Sequence, residues 1–254
     1  MAASGMHTNE YRMDVAANNL ANIQTTGYKP DFVTLMQRQP ERVEDGLALR
    51  NPNKLLEKLS GGILLAPTQT KFSQGVVTST GNPLDVALEG DGFFAVDLGR
   101  GEPAERFRFT RDGRMTIDPD GFLTHIASRA KMLDQNDRPI RLHPNADVTI
   151  QEDGAVIQDG VVTAQLQVTA PAEFQSLTKE GANLFALNDA ALQTRQQMHT
   201  TPVKSGHIEQ SAVTPIDALM GMNRAASAVK RAAKMLQFHD ETMEAAISKF
   251  GRVT

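Results

Sequence analysis

Met222, Val229, Leu236, Met243 and Phe250 stand seven residues apart near the C-terminus, and all five are apolar. Most positions three and four further on are small or apolar as well: Ala225/Ala226, Ala232/Ala233 and Ala246/Ile247, with His239/Asp240 breaking the series. An apolar stripe of period 3.5 is a heptad seam, and it needs another helix to cover it. A shorter copy lies at the other end of the chain. There Met6, Met13 and Leu20 are seven apart, with Ala16 and Ile23 in the offset positions. Two terminal helices with matching seams are expected to pair with each other and with neighbouring molecules. Such an arrangement points to an assembly protein before it points to an enzyme.

Between the seams the pattern changes twice. Residues 2–26 read as helix, with Gly27 placed to end it and Pro30 preventing continuation. Residues 36–75 are rich in Gln, Arg, Glu, Asn and Pro and read as an extended connector, with room for a short helix at 52–59. From about Val76 to Pro202, Asp-Gly occurs five times, at 91, 112, 120, 153 and 159. Asp-Gly supplies the positive-φ residues that tight hairpins need. Arg106-Phe107-Arg108-Phe109-Thr110 and Arg114-Met115-Thr116-Ile117 alternate with period two, as half-buried antiparallel strands do. Thr214-Pro215-Ile216-Asp217 then opens the last helix, with a hydroxyl N-cap, Pro at the first helical position and an acid at the third. That helix is expected to run for ~35 residues, or ~50 Å, and so to project from a small domain.

The expected fold is therefore mixed: a mainly-β central domain flanked by N- and C-terminal α-helices that pair as a coiled coil. Its divisions are residues 1–30 for the first helix, 31–75 for the connector, 76–205 for the β-rich domain and 206–254 for the last helix.

Composition narrows the function classes. A net charge of −4 over 254 residues makes no electrostatic case for nucleic acid or an anionic membrane. No apolar run approaches the ~20 residues of a membrane helix. The start, MAASGMHTNEYRMD, lacks the basic and apolar regions of a secretory signal. With no Cys, disulfides, thiolate metal sites and Cys nucleophiles are excluded. The six His show no zinc spacing, and no nucleophile elbow or phosphate loop occurs. Asp118-Pro119-Asp120-Gly121 and Asp134-Gln135-Asn136-Asp137 do not continue to the acid of a calcium loop, and turn chemistry accounts for both. No catalytic residue, cofactor, metal or small-molecule substrate is expected.

Ala17-Asn18-Asn19-Leu20-Ala21-Asn22-Ile23-Gln24-Thr25-Thr26-Gly27-Tyr28-Lys29 resembles the N-terminal signature of bacterial flagellar rod and hook proteins, A-N-N-L-A-N-x-x-T-x-G-[FY]-K. Residues 81–94, GNPLDVALEGDGFF, resemble the stretch that opens the β domain of that family, and Phe109-Thr110-Arg111-Asp112-Gly113 the strand and turn after it. Gly206-His207-Ile208-Glu209-Gln210-Ser211 resembles the family's G-x-[LI]-E-x-S entry to the last helix. The blocks span roughly two-thirds of the chain, and their order fits a distal or proximal rod protein. Two places depart from the pattern. The family's first helix usually starts several residues further upstream, which implies a shortened helix or a start before Met1. Ala212-Val213-Thr214-Pro215 stands where the family has S-N-V-x.

The resemblance implies a subunit exported by the flagellar type III apparatus without a cleaved signal. It implies helical polymerisation into the hollow, periplasm-spanning rod of the basal body, with self and other rod and hook subunits as partners. The terminal helices would form the inner tube and the β domain an outer layer.

The expected assembly residues are Met6, Met13, Asn18, Asn19, Leu20, Asn22, Ile23, Met222, Val229, Leu236, Met243 and Phe250. Burying each Leu- or Met-sized anchor contributes ~1.5–3 kcal/mol. The same surfaces are unsatisfied in a free monomer, so terminal disorder before assembly is expected. Asn18, Asn19 and Asn22 read as inter-subunit hydrogen-bonding groups that fix register, as buried Asn does in coiled coils, or more plainly as a polar helix face. His239 reads as a packed, hydrogen-bonded seam residue. Lys230, Arg231 and Lys234 read as a solvated face or as the match for an acidic neighbour. An intramolecular helical hairpin, a closed coiled-coil oligomer presenting the β domain as a binding module, and a β-domain hydrolase are the competing readings. A clustered triad of titratable groups would favour the last.

Overall fold

The computed structural model describes residues 2–37, 63–99, 101–143, 146–197 and 201–250. The chain divides into two compact units. One holds residues 1–21, 31–71 and 214–254, and the other residues 22–30 and 72–213.

The first unit is built on two helices, α1 (Ala2–Ala21) and α2 (Pro215–Phe250). They pack side by side, and α1 also touches two short strands, Asp31–Phe32 and Ile63–Leu65. Asp31–Phe32 pairs antiparallel with Gln69–Thr70, and Leu35–Gln37 pairs antiparallel with Ile63–Leu65. α2 begins where the Thr-Pro signature places it: Pro215 is its first residue, and the Thr214 carbonyl accepts the Ala218 N–H at 3.0 Å.

α1 stops at Ala21, short of the expected Thr26. The reason is local bonding. The Thr25 hydroxyl donates to the Asn22 side-chain oxygen at 3.1 Å, and the Thr25 N–H donates to the Asn22 carbonyl at 3.2 Å. The backbone bond is of the i→i−3 type, a tight turn in place of the i→i−4 bond that would continue the helix, and the side-chain bond holds that turn closed. Asn22 and Ile23 therefore leave the N-terminal seam and join the second unit.

In the second unit a sheet runs in the order Leu177–Gly181, Leu184–Leu187, Phe107–Thr110, Phe93–Asp97, Lys131–Met132, Leu123–His125, Met115–Ile117. Every pairing in it is antiparallel. Val168–Ala170 pairs with both Phe93–Asp97 and Gln196–Gln197. A three-stranded sheet, Val148–Ile150, Ala155–Gln158 and Val161–Gln165, follows the same meander logic. Val86–Leu88 pairs with Val203–Ser205, and Val77–Ser79 with His207–Glu209. One core gathers Val86, Leu88, Phe94, Val96, Met115 and Met132 among others, and a second gathers Phe93, Phe109, Leu133 and Phe185.

The Asp-Gly signals work by two routes. Asp159 and Gly160 have φ of 50° and 78°, the paired positive values of a two-residue hairpin between Ala155–Gln158 and Val161–Gln165. Gly113 has no positive φ. There the requirement is space, since a Cβ would stand 1.7 Å from the Val86 carbonyl oxygen.

The expected divisions shift accordingly. The paired strands Asp31–Phe32, Leu35–Gln37, Ile63–Leu65 and Gln69–Thr70 belong to the helical unit. The β-rich unit takes in residues 22–30 and continues to 213, so residues 206–213 belong to it and not to the last helix. The helix anticipated at 52–59 lies outside the described residues.

Candidate assembly surface

α1 and α2 bring most of the expected seam together. Ala16 of α1 lies 3.9 Å from where a Cβ on Gly221 would sit. The late turns of α1 thus meet the early turns of α2, and the helices run antiparallel. On α2 the covered stripe is Ala218 and Ala225, both buried, with Met222, Val229, Ala232 and Leu236 half-buried. On α1 Met6, Met13 and Leu20 are half-buried. Alanines at the closest points let the backbones approach.

The cover ends at Leu236. α1 has 20 residues and α2 has 36, a difference of about 24 Å at 1.5 Å per residue. From Gln237 to Ser248 every residue of α2 is exposed. The seam continues through this stretch with its apolar side chains exposed: Met243 is 59% exposed and Ile247 68%, and Phe238 beside them is 66% exposed. His239 lies here too, exposed rather than packed. Phe250 closes the helix backbone, and its side chain is outside the described residues. The strand pair of the same unit adds a smaller apolar patch, Met36 opposite Leu64, both exposed.

The three asparagines separate. Asn19 lies half-buried and spends its amide within the chain: its Nδ2 donates to the Asp31 carbonyl at 2.7 Å, and its Oδ1 accepts the Asp31 N–H at 3.0 Å. One side chain thereby imitates a β-strand neighbour for Asp31, whose carboxylate accepts from the Thr70 hydroxyl at 2.6 Å. Asn18 is exposed, and Asn22 takes part in the turn that ends α1.

In the β unit, a buried charge cluster joins three of the sequence blocks, and the sequence reading did not single it out. Lys29 Nζ lies 2.5 Å from Glu209 Oε1, and Arg111 Nη1 lies 3.2 Å from Glu209 Oε2. All three side chains are at most 3% exposed. Lys29 also donates to the Ser73 carbonyl, Glu209 accepts the Gly75 N–H, and Arg111 donates to the Gly90 carbonyl and stacks over Phe93. Burial pulls the Lys29 ammonium and the Arg111 guanidinium below their ordinary values, and the Glu209 carboxylate offsets this only partly. Gly27 enters the same place with φ of 69°, its N–H bonded to the Glu209 carbonyl. A Cβ there would stand 2.6 Å from the Arg111 and Asp112 backbone, so only glycine fits. The available signal was that the three blocks carry Lys29, Arg111 and Glu209, charges of opposite sign.

A second buried group has the composition of a hydrolytic triad. His125 Nδ1 lies 2.7 Å from the Ser128 hydroxyl oxygen, and His125 Nε2 lies 3.3 Å from Asp112 Oδ2, an ion-pair distance without hydrogen-bond geometry. The contacts are those of a turn. The Ser128 N–H points at Nδ1, the Ser128 hydroxyl accepts the Ala130 N–H, and Arg114 grips Asp112 with two nitrogens. The imidazole is wholly buried. The group pins the connection from Leu123–His125 to Lys131–Met132. Among the described residues no group of His, Asp and Glu has the arrangement to hold a metal ion, and no helix is long and apolar enough to cross a membrane.

Residues 1–29 match the family described as Flagella basal body rod protein, and residues 87–164 match the Flagellar hook protein FlgE/F/G D1 domain. The chain is 30% identical over 244 residues to the flagellar basal-body rod protein FlgF of Caulobacter vibrioides, covering 95% of this chain and 92% of the relative. It is 28% identical to the flagellar basal-body rod protein FlgG of Bacillus subtilis, over 95% of this chain and 94% of the relative. It is 32% identical to FlgG of Borreliella burgdorferi over 72% and 71% of the two chains.

Proposed function

The chain belongs to the flagellar basal-body rod protein family, and from that premise we propose that it is a structural subunit of the rod that polymerises helically through its terminal helices. The observation that carries the reading is the bare end of α2. The heptad seam runs on through Met243 and Ile247 with both side chains exposed; a seam of this kind is covered by another helix, and in this reading a neighbouring copy supplies it. Met6, Met13 and Leu20 on α1, and Met222, Val229 and Leu236 on α2, form an intrachain coiled-coil pair, and the uncovered turns beyond them make the contacts between copies. In this reading the product is the hollow shaft of the basal body, built with other rod and hook subunits. The chain reaches it through the flagellar export apparatus. Its role is structural, with no catalytic step.

A closed coiled-coil oligomer is the second reading, favoured by the antiparallel α1–α2 pair, which already hides half of the seam. Light scattering of the full chain separates the two. Open-ended polymers that grow with concentration, absent from a chain lacking residues 1–21 and 214–254, support the rod. A discrete mass that stays fixed at high concentration supports the closed oligomer. The trimmed chain must keep residues 22–30, because Gly27 and Lys29 belong to the β unit.

A further inference from the structure

The charges of α2 carry an address for a second copy of this chain. Between Ala218 and Leu236 the helix has four basic residues, Arg224, Lys230, Arg231 and Lys234, and no acid. Between Gln237 and Ser248 it has three acids, Asp240, Glu241 and Glu244, and no Lys or Arg. All seven are exposed. The two sets share one spacing: Lys230, Arg231 and Lys234 become Asp240, Glu241 and Glu244 when ten is added to each number.

Within one helix this pattern is unfavourable. Lys230 and Lys234 are like charges at i,i+4, and so are Asp240 and Glu244. Such pairs weaken a helix by ~0.2–0.5 kcal/mol each, whereas a merely solvated face gains by mixing signs. Among the described residues, no ion pair joins either set to α1 or to the strands of the same unit. The acids also lie on the stretch of α2, Gln237 to Ser248, in which every residue is exposed.

Resting on the rod reading above, we propose that the acidic end of α2 from one copy packs, parallel and displaced by ten residues, against the basic stretch of α2 in the next copy. Lys230, Arg231 and Lys234 then meet Asp240, Glu241 and Glu244 pair by pair, at an axial offset of about 15 Å. Ten residues turn an α-helix to about 80° short of a whole number of turns. The acidic and basic sets therefore face different directions and address two different neighbours, one ahead and one behind. A contact of this kind does not close on itself, and repeated it gives an open filament. An antiparallel two-fold pair centred on residue 237 would match Lys230 with Glu244 and Lys234 with Asp240, but would set Arg231 against Met243 and would require both sets to face one partner.

The chain has no cysteine, so introduced ones report cleanly. Chains carrying Lys234→Cys are mixed with chains carrying Glu244→Cys under conditions where the wild-type chain associates. The expected result is a cross-linked product in the mixture and little from either variant alone. In parallel, the triple reversal of Lys230, Arg231 and Lys234 to Glu is expected to raise the concentration needed for association at least tenfold. Adding reversal of Asp240, Glu241 and Glu244 to Lys in the same chain is expected to restore it. Helix content by circular dichroism confirms that the variants fold. Polymers that form in every variant without the 234–244 cross-link overturn the proposal and leave the rod reading intact. Self-cross-linking of Gln237→Cys in a discrete dimer overturns the parallel offset, because residue 237 would sit on the two-fold axis. A wild-type chain that never associates removes both the proposal and self-polymerisation.

Discussion

Lys29 Nζ lies 2.5 Å from Glu209 Oε1, and 180 residues of sequence separate the two. Glu209 is the carboxylate that contacts both buried cations, Lys29 and Arg111. Removing it takes the ion pair from Lys29 and leaves Arg111 with the charge of Asp91 alone, so Glu209→Gln is expected to destabilise the β unit by about 3–5 kcal/mol. Urea unfolding followed by circular dichroism checks this. Lys29→Met should cost less, because Glu209 keeps Arg111 and the Gly75 N–H. Equal losses from the two substitutions would show that the charges do not act as a cluster.

Gly27→Ala combines a left-handed backbone with a closed space. The φ of 69° costs a non-glycine residue ~1–2 kcal/mol, and the 2.6 Å approach to the Arg111 backbone adds an overpacking cost of ~1–3 kcal/mol. Gly160→Ala is the control, since Gly160 has a similar φ of 78° and open space around its Cβ position. The expected order of stability is wild type, then Gly160→Ala, then Gly27→Ala.

Acid should weaken the β unit in a defined window. Burial by itself would raise Asp97 and Asp112, but the facing Arg106 on Asp97, and Arg114 and His125 on Asp112, hold both below the ordinary 3.8. A depressed carboxylate contributes stability that is fully present above its unfolded value and is lost as pH falls through the folded one. The urea midpoint is therefore expected to change little from these groups between pH 7 and 5 and to fall below about pH 4. Asp112→Asn should flatten that acid limb, and an unchanged limb would remove Asp112 from the account.

Asn19→Ala tests whether this asparagine works within the chain. It removes both bonds to the Asp31 backbone and leaves a half-buried N–H without its acceptor, at a cost of about 1–3 kcal/mol. Amide hydrogen exchange at Asp31 should accelerate in the monomer. If only polymer formation changes, with Asp31 protection intact, Asn19 acts between subunits instead.

Several features were legible in the residues because they depend on near neighbours. Thr214-Pro215 marks the first turn of α2, and Asp159-Gly160 marks a hairpin with both φ values positive. The heptads fall within two helices, and on α2 the half-buried positions run to Leu236. The block containing Gly27 and Lys29 was visible as a motif, but not what it is for.

What the sequence determined by itself was the list of elements and the apolar faces, since a period of 3.5 or 2 is set by backbone geometry within a few residues. Tertiary structure decided where α1 ends, which unit owns residues 22–30, and that Lys29, Arg111 and Glu209 share one buried site. It also decided that Met243 and Ile247 go uncovered while Met222 and Val229 do not. These outcomes depend on which surfaces meet across long stretches of chain. A residue's burial is a property of its neighbours in space, and no local pattern encodes it.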